Sequence, residues 1–337
     1  MPISLRRVSF AILLCSVAIP TFFVIVNRSA FFQGRDKVVV RECGRLRLGR
    51  PQPDPSFAAD ELPFALLSEA AYDEIIAEKP PTDVSGDCKP MVNKEAESKL
   101  LTMGWCPWNS AFLDKDRRAF FKHNLRVSVW QNPSLNEVVV NFGGTNPHSL
   151  ADWIANFRWF IPVHDDEYTE VTKAFVGDFA RAYQTRAVQP GSEFLQHATI
   201  IATGHSLGGG LAQEFAYAQY RLPGVPPVKK VYAFDASPVT GYFSVDKKAR
   251  DENSQNLYTD RVYERREILA ILRAAVNLFH RPNVHNPQIR EIRFDFKSKE
   301  NPIVRHSIPD LRRYLESVVG TDWREKPVEI VDDCLAK

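Results

Sequence analysis

The sequence predicts an α/β fold, with a mainly parallel central sheet and helices on both of its faces. Three observations predict it. Short apolar and β-branched runs recur along the chain, among them Val138-Val139-Val140, Ala198 to Thr203 and Val231 to Phe234. Segments with apolar residues at helical spacing alternate with them. The central runs are apolar throughout, as strands covered on both faces require.

The elements follow in order. An apolar pattern of helical period starts at Phe57 and passes through Leu62, Leu66, Ala70 and Ile75, with Pro80-Pro81 as its stop. Residues 82 to 98 are polar and read as a loop. Leu125 to Trp130 and Glu137 to Phe142 flank Asn132-Pro133-Ser134, a turn signal, and read as a hairpin. Helical segments are expected around Leu150 to Phe160 and Val171 to Tyr183. A strand at Ala198 to Thr203 feeds a glycine-rich turn, Gly204 to Gly210, and a helix at Leu211 to Tyr220. Further strands are expected at Val231 to Phe234, Asp260 to Tyr263 and Glu291 to Phe296, and a closing helix at Leu311 to Val319. In such sheets, sites form at the carboxyl ends of strands.

Four regions are expected: an N-terminal segment over 1–28, a linker over 29–56, a catalytic unit over 57–325 and a tail over 326–337. The first region carries Arg6 and Arg7 and then an uncharged apolar stretch from Val8 to Asn27. About 20 apolar residues span a bilayer as a helix. The stretch reads as an uncleaved membrane anchor or as a signal peptide. Cleavage after Ser16 or Ala18 leaves Ile19 to Val26 apolar on the mature chain, which favours the anchor. Orientation is balanced between Arg6 and Arg7 on one side and Arg28, Arg35, Lys37 and Arg41 on the other. Cys43, Cys88, Cys106 and Cys334 are dispersed outside that stretch. They suit two disulfides in an oxidising compartment, with four unrelated thiols as the alternative. A catalytic unit facing away from the cytosol, or secreted if the segment is cleaved, is the expectation. The linker is basic and ends in the proline run Arg50 to Pro55.

The 337 residues are 44% apolar and 25% charged, with a net charge of +2, ordinary for a folded domain. This near-neutral balance argues against a nucleic-acid partner, which needs a basic stripe. Neither a phosphate-loop motif nor metal-ligand spacing of Cys and His is present, so no cofactor and no metal are expected.

Gly204-His205-Ser206-Leu207-Gly208 matches G-x-S-x-G between an expected strand and an expected helix. There a serine sits on a strained turn, and side chains at the two glycines would clash with it. A helix N-terminus beyond the serine also aims backbone N–H groups at developing negative charge. Ser206 is therefore the expected nucleophile. A serine hydroxyl needs a base, and the base needs an orienting acid, in the chain order serine, acid, histidine. Only His280, His285 and His306 follow Ser206. His306 comes after the last strand and just before a helix, so it is the expected base. His280 and His285 sit in a proline-containing connection. His205 reads as a packing residue, because neighbours on a sharp turn point apart. Among Asp235, Asp260, Glu264 and Glu267, Asp235 lies one strand too early. Glu267 is favoured as the acid, with Glu264 as the alternative.

Residues from about 60 to 320 resemble the class 3 lipases, the fungal-type lipase family of the α/β-hydrolase superfamily. Four stretches carry the resemblance: Val138 to Thr145 with Asp152-Trp153, Gly204 to Gly209, Tyr263 to Leu269, and Arg305-His306-Ser307. The resemblance implies an α/β-hydrolase fold and an oxyanion hole made by Thr145 and the backbone N–H of Leu207. It also puts Trp153, Ile154, Phe157, Trp159, Phe160 and Ile161 where the family has its lid, although a buried core helix gives the same composition. Two positions depart from the family. Gly143 stands where arginine is common, and Glu267 stands where aspartate is usual. Glutamate adds one methylene and still reaches a histidine.

The expected function is a serine-dependent carboxylic ester hydrolase, a lipase acting on acylglycerols or other lipid esters. A phospholipase A-type enzyme and a carboxylesterase of soluble esters are the enzymatic alternatives. An inactive hydrolase fold used for binding is the non-enzymatic one, but it predicts decay at one triad position, and suitable residues occupy all three. The expected partners are the ester substrate and a membrane reached through the N-terminal segment; the sequence points to no protein partner.

Overall fold

A computed structural model describes residues 38–42, 45–47, 55–76, 87–89, 95–112, 114–144, 167–270, 272–273, 287–296 and 300–319. The elements, in chain order, are β1 (Val38–Glu42), β2 (Arg45–Arg47), α1 (Pro55–Ile76), α2 (Glu95–Thr102), β3 (Cys106–Pro107), α3 (Asp114–Lys122), β4 (Val127–Asn132) and β5 (Glu137–Phe142). A helical run follows: α4 (Glu167–Glu170) widens into a π turn at Val171–Phe175 and continues as α5 (Val176–Ala187). Then come β6 (Thr199–His205), α6 (Leu207–Ala218), β7 (Val228–Phe234), α7 (Lys247–Asn253), β8 (Tyr258–Glu264), β9 (Gln288–Phe294), α8 (Pro302–Arg305) and α9 (Ile308–Val319).

The strands form one sheet in the order β2-β1-β9-β8-β7-β6-β5-β4-β3. Strands β5 to β9 are mutually parallel, so their carboxyl ends lie along one edge. Antiparallel strands flank them on both sides. This is the expected α/β-hydrolase architecture.

The side-chain period of two explains the layers. Val138, Val140, Phe142, Ile200, Ala202, Val231 and Ala233 face a core closed by α5 and α6. Val139, Ile201, Tyr232 and Phe234, on the same strands, face the opposite core beneath α1 and α9. Both faces are dry, which is why the strands are apolar at consecutive positions. Arg312 of α9 is pinned by Glu69 of α1 at 2.8 Å and by Glu316 at 2.7 Å, which ties the closing helix to the first one.

Three expectations change. Residues 29–56 were expected to be linker, yet β1 and β2 lie within them, and β1 pairs with β9 through Val38 and Phe294. The run Val38-Val39-Val40 is a strand signal that sits among basic residues. Residues 82–98 were expected to be loop, yet Glu95 to Ser98 open α2, an amphipathic helix with Ala96 and Leu100 buried. Helix α6 begins at Leu207, directly after the serine, rather than at Leu211.

Cys88 and Cys106 form a disulfide, one of the two that the four dispersed cysteines suit. The N-terminal stretch Val8 to Asn27, the segment from Thr145 to Asp166, His280, His285, Cys43, Cys334 and the tail over 326–337 lie outside the described residues. Among the described residues, no helix is long and apolar enough to cross a membrane.

Candidate active site

Ser206 stands between the end of β6 and the start of α6 with φ 59° and ψ −123°. A non-glycine residue in such a region costs about 1–3 kcal/mol and persists only where its surroundings fix it. Here they do. Its N–H donates to Phe234 O at 2.9 Å, and its carbonyl accepts from Ser237 N–H at 2.9 Å. The turn closes because its glycines have no side chains. A Cβ on Gly204 would lie 2.4 Å from the Gly208 carbonyl carbon, and one on Gly208 would lie 2.2 Å from Phe142 O. Both would overlap backbone that cannot move without breaking the sheet edge.

His306 sits between α8 and α9, held by its N–H to Ile303 O at 3.0 Å. Asn301 caps α8 by accepting from Ile303 and Val304 N–H, which fixes the approach of the loop. The imidazole Nε2 lies 3.0 Å from Ser206 Oγ, and Nδ1 lies 2.8 Å from Glu267 Oε2. Ser206, His306 and Glu267 are each buried. The three residues singled out from sequence therefore form one hydrogen-bonded line at the carboxyl edge of the parallel strands.

Glu267 lies beyond the end of β8, in a turn where its own N–H bonds Glu264 O at 3.3 Å. Its carboxylate is fully enclosed. Oε2 also accepts Leu269 N–H at 2.8 Å, and Oε1 meets the guanidinium of Arg273. Burial opposes ionisation, but Arg273, the bond to His306 and the Leu269 amide outweigh it and hold this carboxyl below its ordinary range. Arg273 is itself anchored, donating to Ala236 O at 2.8 Å. Glu264, the alternative acid, points elsewhere: its Oε2 accepts Phe296 N–H at 3.2 Å.

Leu207 opens α6, so its backbone N–H has no acceptor within the helix and faces the serine end. Thr145 lies outside the described residues, but β5 and Gly143-Gly144 lead to it. Gly143 N–H donates to Arg126 O at 2.8 Å, and Gly144 passes against His205 O and the Tyr72 phenol.

Sequence reasoning missed Arg273 and Tyr72, set Asp235 aside as the acid without giving it another role, and took His205 as packing only. Tyr72 lies at a helical position of α1 and gave no chemical signal. Its phenol oxygen is 2.6 Å from His205 Nδ1, and the His205 ring lies 4.7 Å from the His306 ring. Asp235 carries φ 41° immediately after β7, and its Oδ2 is 3.9 Å from His205 Nε2. His205, Asp235 and His306 bring three potential metal-ligand atoms within 4.8 Å of one another. Both ring nitrogens of His306 already face Ser206 and Glu267, so this trio makes a poor metal centre.

Residues 139–272 match the family model for class 3 lipases. The chain is also similar to 3-isopropylmalate dehydratase small subunit 1 of Arabidopsis thaliana, 25% identical over 169 residues, which is 50% of this chain and 53% of that protein. It thus spans about half the length of that curated relative. Among solved structures, it is similar to lipase II from Rhizopus niveus, with a TM-score of 0.43 and 15% identity over 69% of this chain and 77% of the other. It is likewise similar to the native Rhizomucor miehei lipase propeptide complex, with a TM-score of 0.41 and 19% identity over 72% of this chain and 74% of the other. The family match bears out the resemblance and takes in three of the four sequence stretches, with β6, Ser206, β7, β8 and Glu267, whereas Arg305-His306-Ser307 lies beyond the matched residues.

Proposed function

We propose that this chain, matched to the class 3 lipases over residues 139–272, is a serine-dependent carboxylic ester hydrolase that acts on lipid esters. The observation that carries the proposal is the line Ser206 Oγ, His306 Nε2, His306 Nδ1, Glu267 Oε2, with spacings of 3.0 and 2.8 Å.

The chemistry follows from that line. Ser206 Oγ attacks the ester carbonyl carbon as His306 Nε2 takes its proton. The carbonyl π pair moves to oxygen, and the N–H groups of Leu207 and Thr145 stabilise that oxyanion. Each such donor is worth about 3–4 kcal/mol of barrier. Glu267 keeps the His306 proton on Nδ1 in the ground state and neutralises the imidazolium that forms. His306 then protonates the leaving alcohol as the carbonyl re-forms. Water, deprotonated by the same imidazole, attacks the acyl-enzyme and releases the acid. Every step uses groups of the chain and water.

In this reading the stretch from Val8 to Asn27 holds the enzyme on a bilayer, and the aromatic residues from Trp153 to Ile161 let the catalytic unit meet lipid. The Cys88–Cys106 disulfide supports a catalytic unit outside the reducing cytosol. The test is hydrolysis of a series of p-nitrophenyl and glyceryl esters of increasing acyl length. Preference for long chains presented as emulsions supports the lipid reading. Turnover of short soluble esters alone points to a carboxylesterase.

A further inference from the structure

Three side chains behind the triad, two buried and one half-buried, take no part in the proton transfers above. They are Tyr72 on α1, His205 at the end of β6 and Asp235 just after β7. Each touches a different part of the site. The Tyr72 phenol sits against Gly144, where a Cβ would lie 2.3 Å from its oxygen. Gly144 is thus required to be a glycine, and the phenol props the chain that leads into Thr145. The same phenol oxygen bonds His205 Nδ1 at 2.6 Å. The His205 ring packs at 4.7 Å against the ring of His306, tilted by 47°. His205 Nε2 then faces Asp235 Oδ2 at 3.9 Å, longer than a hydrogen bond, and neither atom has another hydrogen-bond partner among the described residues. The other Asp235 oxygen, Oδ1, accepts Glu264 N–H at 2.9 Å, at the start of the turn that carries Glu267.

We propose that Tyr72, His205 and Asp235 act as one positioning relay that joins the oxyanion strand, the catalytic imidazole and the acid-bearing turn. None of the three touches the reacting atoms, so each acts through another residue. The inference rests on the esterase reading above.

Electrostatics agree with the geometry. Burial, the neighbouring His306 and Arg273 hold His205 well below the ordinary histidine range, so it stays neutral. Burial and the negative Glu267 push the Asp235 carboxyl up, so it stays protonated despite Arg273. Burial likewise keeps the Tyr72 hydroxyl protonated. A neutral His205 therefore packs on His306 with Asp235 close by, and Glu267 is the negative charge bonded to the imidazole. The Asp235 carboxyl faces His205 Nε2 across 3.9 Å, and the Tyr72 phenol and His205 Nδ1 share a hydrogen bond of 2.6 Å. A backbone φ of 41° at Asp235, uncommon for a residue with a side chain, places the carboxyl there.

The test uses the full chain and a soluble ester, with kcat, KM, the rate of fluorophosphonate labelling and a thermal melt for each variant. Tyr72→Phe keeps the ring and removes the oxygen that both props and bonds. It is expected to lower kcat about 10-fold with KM within about twofold, as misplaced groups do. Asp235→Ala is expected to do the same, whereas Asp235→Asn, an uncharged isostere of the protonated acid, restores most of the rate. The double variant Tyr72→Phe/Asp235→Ala is expected to lose no more than its worse parent, the mark of one coupled unit. Folded variants that keep kcat within about twofold, multiplicative losses in the double variant, or an Asp235→Asn as slow as Asp235→Ala would each overturn the relay. Should Asp235→Ala fail to fold, Tyr72→Phe decides by its division between kcat and KM. A wild-type chain that neither labels nor turns over ester fails the esterase reading itself, whereas an active wild type with indifferent variants fails only the relay.

Discussion

Replacing Glu267 by Gln is the substitution with the most to say about the site. The side chain keeps its length and loses its charge. Its two oxygens have incompatible neighbours for an amide. Oε1 meets a guanidinium, while Oε2 accepts from both Leu269 N–H and His306 Nδ1. If the amide oxygen stays with His306, the NH2 group faces Arg273, donor against donor. If the oxygen turns to Arg273, the NH2 group faces His306 and the Leu269 amide. The imidazole then places its proton on Nε2, where it no longer accepts from Ser206. Charge alone contributes about 4 kcal/mol for an ion pair with centres near 4 Å at an effective dielectric of about 20. That is roughly a thousandfold in rate, and the wrong tautomer extends it towards about 10⁴-fold. The assay is kcat/KM on a soluble p-nitrophenyl ester, with circular dichroism to establish folding. Glu264→Gln is the control, since its carboxylate bonds Phe296 N–H and not the histidine. Its loss is expected to stay within about tenfold. A folded Glu267→Gln with a tenth or more of the activity, beside a crippled Glu264→Gln, would refute the assignment of the acid.

Other outcomes follow from the same geometry. Arg273→Met leaves the enclosed Glu267 carboxylate without its guanidinium and is expected to cost about 3–5 kcal/mol in a urea titration. The carboxyl of Glu267, now held low, contributes stability above its ordinary value near 4.5 that is lost as pH falls through the folded value. In Arg273→Met the acid limb of kcat/KM moves to higher pH, and an unmoved limb would contradict this. Asp235 has the opposite sign: its folded carboxyl is raised, so its contribution is complete below the ordinary 3.8 and is lost as pH rises through the folded value. Melting of Asp235→Asn from pH 4 to pH 9 is therefore expected to gain on wild type towards alkaline pH, and a constant offset would contradict it. Cys88→Ser/Cys106→Ser opens a loop of separation 18 and is expected to lower stability by about 3 kcal/mol, read from chemical denaturation.

What was legible in the sequence depends on how local the signal is. The parallel strands were legible because burial on both faces demands apolar residues at every position, as in Val138-Val139-Val140. Ser206 was legible because the turn demands Gly204 and Gly208 at fixed offsets. His306 was reached through chain order and its place before a helix, and Glu267 through its place just beyond β8. The residues that brace them were not legible. Arg273 reaches Glu267 from the next helical turn, a reach no motif encodes. Tyr72 meets His205 across 133 residues of sequence, and a tyrosine on an apolar helix face reads as core. Asp235 was set aside for lying one strand too early, yet adjacent parallel strands end together, so its carboxyl lies beside the triad. Strand β1 was obscured by the basic residues around it. The partners that register and topology bring together are fixed only once the chain folds.

In the proposed chemistry Ser206 is an activated nucleophile served by His306 and Glu267. Labelling with a fluorophosphonate probe, followed by peptide mass spectrometry, tests it most directly. One adduct per chain is expected, on the peptide carrying Ser206, formed by the wild type, lost in Ser206→Ala and slowed strongly in His306→Ala and Glu267→Gln. An adduct on another residue, or equal labelling of a folded Ser206→Ala chain, would contradict it.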